Sequence, residues 1–550
     1  MNYDTEQIKT IKSGAETHFG TFHSNCDTVD SYYNQEMDLG DMPSDVTLYI
    51  PPTVRQHVND AVFHLLSLGQ TVYVPPWGES ENIKKLITKL RIFGNAFLSM
   101  MDRMYDNVRH DCYKHGILYG AFCLKGPIYV PRLRSDKMSE KEWNASMSST
   151  FPFYYEATPP RNLMWAENQW VLESCRKRAS DIKSQLPDWD DEGRGPFEEV
   201  NWAEFWTPSQ KVYMIDGDPV NLGEGGDRNI YGFIPYQIKS TGFGIKGATG
   251  KIEDRYVSMI APALDSYKIE ARTKTAIFAG QEYGVYGRPM ADRPLEEGES
   301  LSLSPGELSI VRADANLRNF EVPPVTEDAY KTIALVKEDQ QRIIPDIAHG
   351  MGMKYETGYG QAGRIRQSWY QLIPLKNAWE SAVSACLDNN LELMKSDGVV
   401  DEPVGILNDL AGEKSIVSIK PTEINPTYQH FYVKLDNQTP EEKERRIRLG
   451  LDQYVVGAID LETYLTEYAN HDFMTIRQRK LIQEALNHPA IKSALAQAAM
   501  EDAGMREVLR MIEEGEQMEQ RRPLHGVGTQ ANTQMSLSPG TQGFSTEEEQ

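Results

Sequence analysis

The stretch TEDAYKTIALVKEDQQRIIPDIA (326–348), followed by HGMGMKYETGYGQAG (349–363) and RIRQSWYQLIPLKNAWESAVSACLDNNLELMKS (364–396), decides how this chain is read. In the first part Thr326 stands as an N-cap, and Glu327 and Asp328 bring negative charge to the first turn. Ala329, Ile333, Val336, Ile343 and Ile347 then recur at helical spacing, while Lys331, Glu338 and Arg342 mark the opposite face. The glycines at 350, 352, 358, 360 and 363 predict a loop in the middle part, because glycine loses the most backbone freedom in a regular element. Helical steps resume at Ile365, Trp369, Leu372, Trp379, Val383, Cys386 and Met394. Pro374 predicts a kink inside that helix and Gly398 its stop. Two long helices joined by a glycine-rich loop describe a moving part on a rigid frame.

A chain of 550 residues exceeds what one compact core accommodates and so divides into several parts. Its hydrophobic content of 40% is that of a globular protein. The net charge of -23 argues against an outer surface that grips a nucleic-acid backbone. An acidic conduit is compatible with nucleic acid, since it would repel phosphates and let them slide. The cysteines, at 26, 112, 123, 175 and 386, form no C-x-x-C pair, which predicts neither a disulfide framework nor a thiolate zinc site and fits a reducing compartment. The N-terminal residues lack the basic and apolar regions of a signal peptide, and no stretch approaches the ~18 apolar residues of a membrane span. The expectation is a protein cytoplasmic when made, with no membrane partner.

Residues 1–45 are polar with scattered aromatics and read as an N-terminal arm with one short helix. Residues 46–250 read as an α+β body. Its clearest helix takes Asn95 as cap and runs through Phe97, Met101, Met104, Val108 and Cys112 to Gly116. Strands are expected at 121–125 and 127–130, separated by Gly126, and at 151–157, 163–165, 203–207, 211–215 and 235–239, with a helix at 176–185. Asp216 and Gly217 make a hairpin turn. A helix over 251–280 places Tyr256, Ile260, Leu264, Tyr267, Ala271 and Phe278 on one face, and Lys268, Arg272 and Lys274 toward its C-terminal half. Next, 281–325 is a Gly- and Pro-rich module with strands around Pro305-Gly306, too small at ~45 residues to stand alone. Bracketed by long helices, it reads as a small head on a two-helix stalk. Strands at 415–420 and 430–435 return the chain to the body. Thr439, Pro440 and Glu442 then open a helical region reaching about 520, and 521–550 is a polar tail expected to be disordered.

Several motifs imitate chemistry without completing it. Gly242-Phe-Gly-Ile-Lys-Gly247 matches G-x-G-x-x-G, yet Ala248 stands where a phosphate-loop lysine belongs and no βαβ unit surrounds it, so a flexible joint is preferred. Asp188, Asp190, Gly193 and Glu199 fall at calcium-loop spacing, but Glu192, Gly195 and Pro196 depart from the pattern and an acidic surface loop is preferred. His110, Cys112 and His115 are read as packing residues, being too far round one helix to converge on a metal. No H-E-x-x-H or G-x-S-x-G is present, and the expectation is a protein without catalytic residues, metal or cofactor.

The order of these parts resembles the portal proteins, or head-to-tail connectors, of tailed bacteriophages. The resemblance spans about Val54 to Gln520 and is carried by architecture: wing, stem helix, clip, stem helix, tunnel loop, kinked helix and helical crown. It places the wing at 46–250, the first stem helix at 251–280, the clip at 281–325, the second stem helix at 326–348 and the tunnel loop at 349–363. The kinked helix and wing strands take 364–437, and the crown 438–520. TPEEKERRI (439–447) and VGAIDLETY (456–464) are similar to the start of a portal crown. The resemblance implies an α+β, predominantly helical portal-like fold assembled as a ring, usually a dodecamer, at one vertex of the virion capsid. Double-stranded DNA would pass through its channel during packaging and ejection. Expected partners are the terminase large subunit, adaptor or neck proteins, and the major capsid and scaffold proteins. In this frame Met351, Met353, Lys354, Tyr355, Glu356 and Tyr359 belong to the tunnel loop, with Lys354 touching phosphates transiently. Lys331, Glu338 and Arg342 become stem or lumen charges, Arg288, Arg293, Glu296 and Glu297 the docking surface of the clip, and Pro374 the kink. The rival expectation is a minor virion scaffold protein without a channel.

Overall fold

The computed structural model describes residues 3–42, 46–78, 80–103, 107–130, 151–186, 189–191, 193–220, 227–247, 250–286, 288–291, 294, 317–320, 327–343, 358–395, 403–408, 415–436, 440–468 and 480. It is a mixed chain of helices and small antiparallel sheets, divided into two compact units, Met1–Arg445 and Arg446–Gln550.

The first unit opens with α1 (Thr5–Tyr33), capped by Asp4, whose side chain accepts from the Gln7 amide at 2.8 Å while Gln7 Oε1 accepts from the Asp4 amide at 3.1 Å. Ile8, Ala15, Phe19, Phe22, Cys26 and Val29 form its buried seam. This corrects the expected arm with a short helix. The seam is interrupted by Gly14, Gly20 and many hydroxyl residues, so its period is visible once Phe19 and Phe22 meet Trp165 at 4.8 and 6.3 Å.

Next come α2 (Thr53–Leu66), β1 (Gly69–Tyr73), α3 (Glu81–Arg103) and α4 (Val108–Tyr119). The helix expected from Asn95 is thus two helices. Asn95 lies inside α3 and its side-chain oxygen accepts from the Val72 amide, whereas Asn107 caps α4 by accepting from the His110 amide. Gly120 closes α4 at φ +69°, where a Cβ would sit 2.1 Å from the Val257 carbonyl oxygen, so both backbone conformation and space require glycine.

The strands foreseen on either side of Gly126 are one strand, β2 (Ala121–Tyr129), with a register shift between Lys125 and Ile128. It sits in the middle of a three-stranded sheet between β3 (Phe153–Thr158) and a strand met later in the chain. A larger antiparallel sheet follows: β4 (Leu163–Ala166), β5 (Trp170–Arg178), β6 (Glu199–Trp206), β7 (Gln210–Ile215) and β8 (Asp218–Pro219), with β9 (Asp227–Arg228) pairing β7. The helix expected from Arg176 is α5 (Ala179–Gln185), because Arg176, Lys177 and Arg178 extend β5 opposite Asn201, Val200 and Glu199. Asp216 (φ +50°) and Gly217 (φ +91°) make the β7–β8 turn with the positive dihedrals that a tight hairpin requires. The strand beside β2 in the smaller sheet is β10 (Tyr236–Ser240).

The helix expected over 251–280 is also broken. A short α6 (Ile252–Arg255) is followed by a turn at Ala261–Ala263, and the long helix α7 runs from Leu264 to Tyr286. Pro262 has no N–H for a helical hydrogen bond and stands in the turn that starts α7, and the chain before it is tied to the body by the Met259 amide and the Ser258 hydroxyl, which both donate to the Ile117 carbonyl. Beyond α7, β11 (Arg288–Ala291) pairs antiparallel with β12 (Leu317–Phe320), and α8 (Glu327–Ile343) follows. The strands expected around Pro305 lie outside the described residues.

The long helix α9 spans Gly358–Lys395 and includes Pro374. The loop expected over 349–363 is therefore corrected at its C-terminal end, where Gly358, Gly360 and Gly363 lie in the first turns of α9; 349–357 lie outside the described residues. Each costs about 1 kcal/mol against alanine, which the buried seam of Leu372, Leu375, Trp379, Val383, Cys386, Leu387, Leu391 and Met394 offsets. Trp379 is its anchor, 5.3 Å from Tyr113 and 6.1 Å from Phe122. Gly398, the expected stop, lies outside the described residues. Two further pairs complete the unit, β13 (Val404–Asn408) with β14 (Ser415–Ile419), and β15 (Tyr432–Asp436) with β1.

Helix α10 (Pro440–Val455) leads into the second unit. Gly457 at φ +79° ends it, and Asp460 caps the next turn through the Thr463 amide. Within this unit Tyr454 stacks on Tyr464 at 5.8 Å, and Gly450 leaves room for the Tyr468 ring, which a Cβ would approach to 2.4 Å.

Candidate functional site

The part of the fold that carries the functional expectation is the helix pair α7 and α8 with the strand pair at its end. Glu270, almost fully buried on α7, accepts from Gln340 Nε2 of α8 at 2.9 Å, from Lys274 Nζ at 2.6 Å and from Thr53 Oγ1 at 3.2 Å. One carboxylate thus fastens the two helices to each other and to α2. Thr275 exchanges two hydrogen bonds with the Tyr49 backbone, at 3.0 and 3.1 Å, and Tyr267 meets His57 Nδ1 at 2.8 Å. The base of the pair is fixed to the body. Beyond Ile277, both helices carry exposed apolar side chains, among them Phe278, Tyr330 and Leu335.

Lys331 is exposed and bridges to Glu327 at 3.1 Å and Asp328 at 3.7 Å, back toward the first turn of its own helix. Glu338 is exposed on the same helix, and Arg342 lies in its last turn. Arg288 begins β11, while Arg293, Glu296 and Glu297 lie outside the described residues. Met351, Met353, Lys354, Tyr355 and Glu356 lie outside them too, and Tyr359 is in the first turn of α9. Pro374 is helical, with its ring 3.1 Å from the position a Cβ on Gly242 would take.

One buried constellation was not singled out from sequence. Between the three-stranded and the larger sheet, Lys125 Nζ of β2 meets Glu173 Oε2 at 2.6 Å and Glu204 Oε2 at 3.3 Å. Tyr236 of β10 donates to Glu173 at 2.7 Å, both Trp202 and Trp206 donate their indole N–H to Glu204, and Lys177 approaches Glu204 at 3.5 Å. Burial alone would depress the Lys125 ammonium, but Glu204 and Glu173 raise it above the ordinary lysine range. Burial opposes ionisation of Glu204, and Lys125, Lys177 and Lys211 overcome it, holding its carboxyl well below the usual range. Lys211 lies 4.3 Å from the ring centres of Trp206 and Tyr213, and its burial brings its pKa down to about 8. The cluster links β2 and β10 of one sheet to β5 and β6 of the other, and removing one partner would leave a buried charge uncompensated. Its signal was a charged residue at an inward position of an otherwise apolar strand, Glu173 after Val171-Leu172 and Glu204 between Trp202 and Trp206.

No protein-family model matches the chain, and a search of curated proteins finds no relative. Among the solved structures it is similar to are chains of gene transfer agent particles. One comes from the neck of an empty particle computed with C6 symmetry, with 9% identity, covering 76% of this chain and 90% of that one at a TM-score of 0.36. A second comes from the virion of a native particle, with 10% identity, 76% and 90% coverage and a TM-score of 0.35. A third comes from the neck of a native particle computed with C12 symmetry, with 9% identity, 76% and 89% coverage and a TM-score of 0.35. At such identities and scores the likeness carries no argument about role.

The imitation motifs have structural explanations. At Gly244 a Cβ would lie 2.4 Å from the Arg255 carbonyl, and the Ile245 amide donates to the Asp254 carbonyl, so the glycines admit a close pass of backbone beside a four-residue helix. Glu199 starts β6 and faces Arg176 at 3.7 Å; Asp188 and Glu192 lie outside the described residues. Cys112 is buried with its thiol toward the Cys123 carbonyl, and His110 meets Asp111. Among the described residues no group of three His, Cys, Asp or Glu is placed to hold a metal ion, and no helix is long and apolar enough to cross a membrane.

Proposed function

We propose that the chain is the subunit of a phage-type portal, a ring at one capsid vertex through which double-stranded DNA is packaged by a terminase and later ejected, and on which the neck or tail is attached. The observation that carries this reading is the order of parts. An α+β body is followed by α7, the strand pair β11–β12, α8 packed back on α7, and α9 returning through the body core to the β1–β15 pair. The small strand pair borne on two helices corresponds to the clip on its stem, and the segment before α9 to the tunnel loop. In this reading the protein performs no catalysis of its own. The net charge of -23 lets DNA slide, and Lys354 makes transient phosphate contacts.

Imaging of purified protein tests the assembly. Rings with a central hole support the portal, whereas compact single particles overturn it in favour of a scaffold protein without a channel. In assembled particles, Lys354→Ala and a deletion within 350–357 should alter DNA packaging or retention. If both leave packaging and retention unchanged, the role given to the loop is wrong.

A further inference from the structure

Helix α9 also supplies the hydrogen bonds of a missing strand. In an antiparallel pair, every second residue turns its N–H away from its partner strand. Along β15 and the residue before it, those outward amides are Leu435, Val433 and Phe431. Leu435 donates to Glu380 Oε1 at 2.7 Å, Val433 to Ser384 Oγ at 2.9 Å and Phe431 to Asp388 Oδ1 at 2.8 Å. The acceptors are four residues apart on α9 and the donors two apart on the strand, running in opposite directions. Four helical residues rise ~6 Å and two strand residues ~6.7 Å, so the two spacings agree to within about 1 Å per rung.

Neighbouring groups hold the rungs in place. Ser384 gives its own hydroxyl proton to the Glu380 carbonyl at 2.7 Å, which leaves its lone pairs to accept from Val433. Glu380 is faced by Lys376 at 3.7 Å, and Asp388 by His430 Nδ1 at 3.3 Å. On the opposite edge of the pair, the Val72 amide of β1 donates to Asn95 of α3 at 2.9 Å, and from the α9 side Trp379 Nε1 donates to the Gln70 side chain of β1 at 3.0 Å. The sheet is therefore hydrogen-bonded through side chains to a helix on each side.

We propose that the Glu380, Ser384 and Asp388 stripe is a clamp: it makes α9 a surrogate third strand, closes the edge of β15 to any other strand, and fixes the axial position of α9 on the body. A slide of α9 by less than one turn breaks all three rungs together, so the clamp responds as a unit. The inference is independent of the portal reading, since it concerns the single folded chain.

Hydrogen exchange of the full-length protein, read by mass spectrometry on peptides covering 428–436 and 376–388, tests it. In Ser384→Ala, exchange at Phe431, Val433 and Leu435 should accelerate together by about 5-fold or more, and the α9 peptide should lose protection with them. Ser384→Thr keeps the acceptor and should exchange as wild type. Asp388→Ala, at the far end of the stripe, should reproduce the effect of Ser384→Ala and serves if that variant does not fold. Unchanged protection of β15 in both alanine variants overturns the clamp. So does equal loss in Ser384→Thr and Ser384→Ala, because that would make the effect one of packing.

Discussion

His115 shows what single residues contribute. It lies on α4, stacked on Tyr119 at 5.7 Å, with its Nδ1 buried and without a hydrogen-bond partner. Burial holds its pKa down to about 4, and burial likewise brings His64 to about 4. The unfolded chain, with histidines near 6.5, binds more protons than the folded one between these values. Stability is therefore full above about pH 6.5 and falls as pH drops toward 4, by on the order of 3 kcal/mol for a shift of this size. Urea titrations of His115→Phe at pH 7 and pH 4.5 should show a smaller loss on acidification than wild type; an unchanged loss would remove His115 as a cause. A single side chain can also serve either of two local rules. Asn95 and Asn107 both precede apolar helical runs, and an asparagine oxygen accepts from whichever amide is near, which is Val72 for one and His110 for the other.

Among elements, α9 was the most legible. Trp379, Val383, Cys386 and Met394 were assigned to one apolar face by their spacing, and all four are buried. Truncating the anchor, Trp379→Ala, removes its contacts with Tyr113 and Phe122 and the bond to Gln70, and should cost ~3–5 kcal/mol in urea unfolding. A cost below 1 kcal/mol would show that the site collapses around the loss. The start of α9 was not legible, because glycine content predicts the local cost of a helix but not what the remaining turns recover. The α1 helix was missed for the converse reason: its seam is sparse, and its partner Trp165 is remote in sequence.

For the whole molecule, net charge bears on assembly. If the chain forms the proposed ring, copies each carrying -23 repel one another. Raising salt from about 0.15 M to 0.5 M shortens the screening length from ~8 Å to ~4 Å and should increase the assembled fraction in sedimentation velocity. Dissociation with added salt would instead show that ion pairs between copies dominate.

The sequence alone determined whatever is set within a few residues of chain: the Asp216-Gly217 hairpin and the apolar stripe of α9. These follow from backbone dihedrals and side-chain period, which neighbours in sequence control. The tertiary structure decided the rest. It set the pairing of β1 with β15, the burial of Lys125 among Glu173 and Glu204, and the Glu380, Ser384 and Asp388 ladder. Each joins groups far apart in the chain, and each depends on a partner whose position is known only after folding has excluded water from between them.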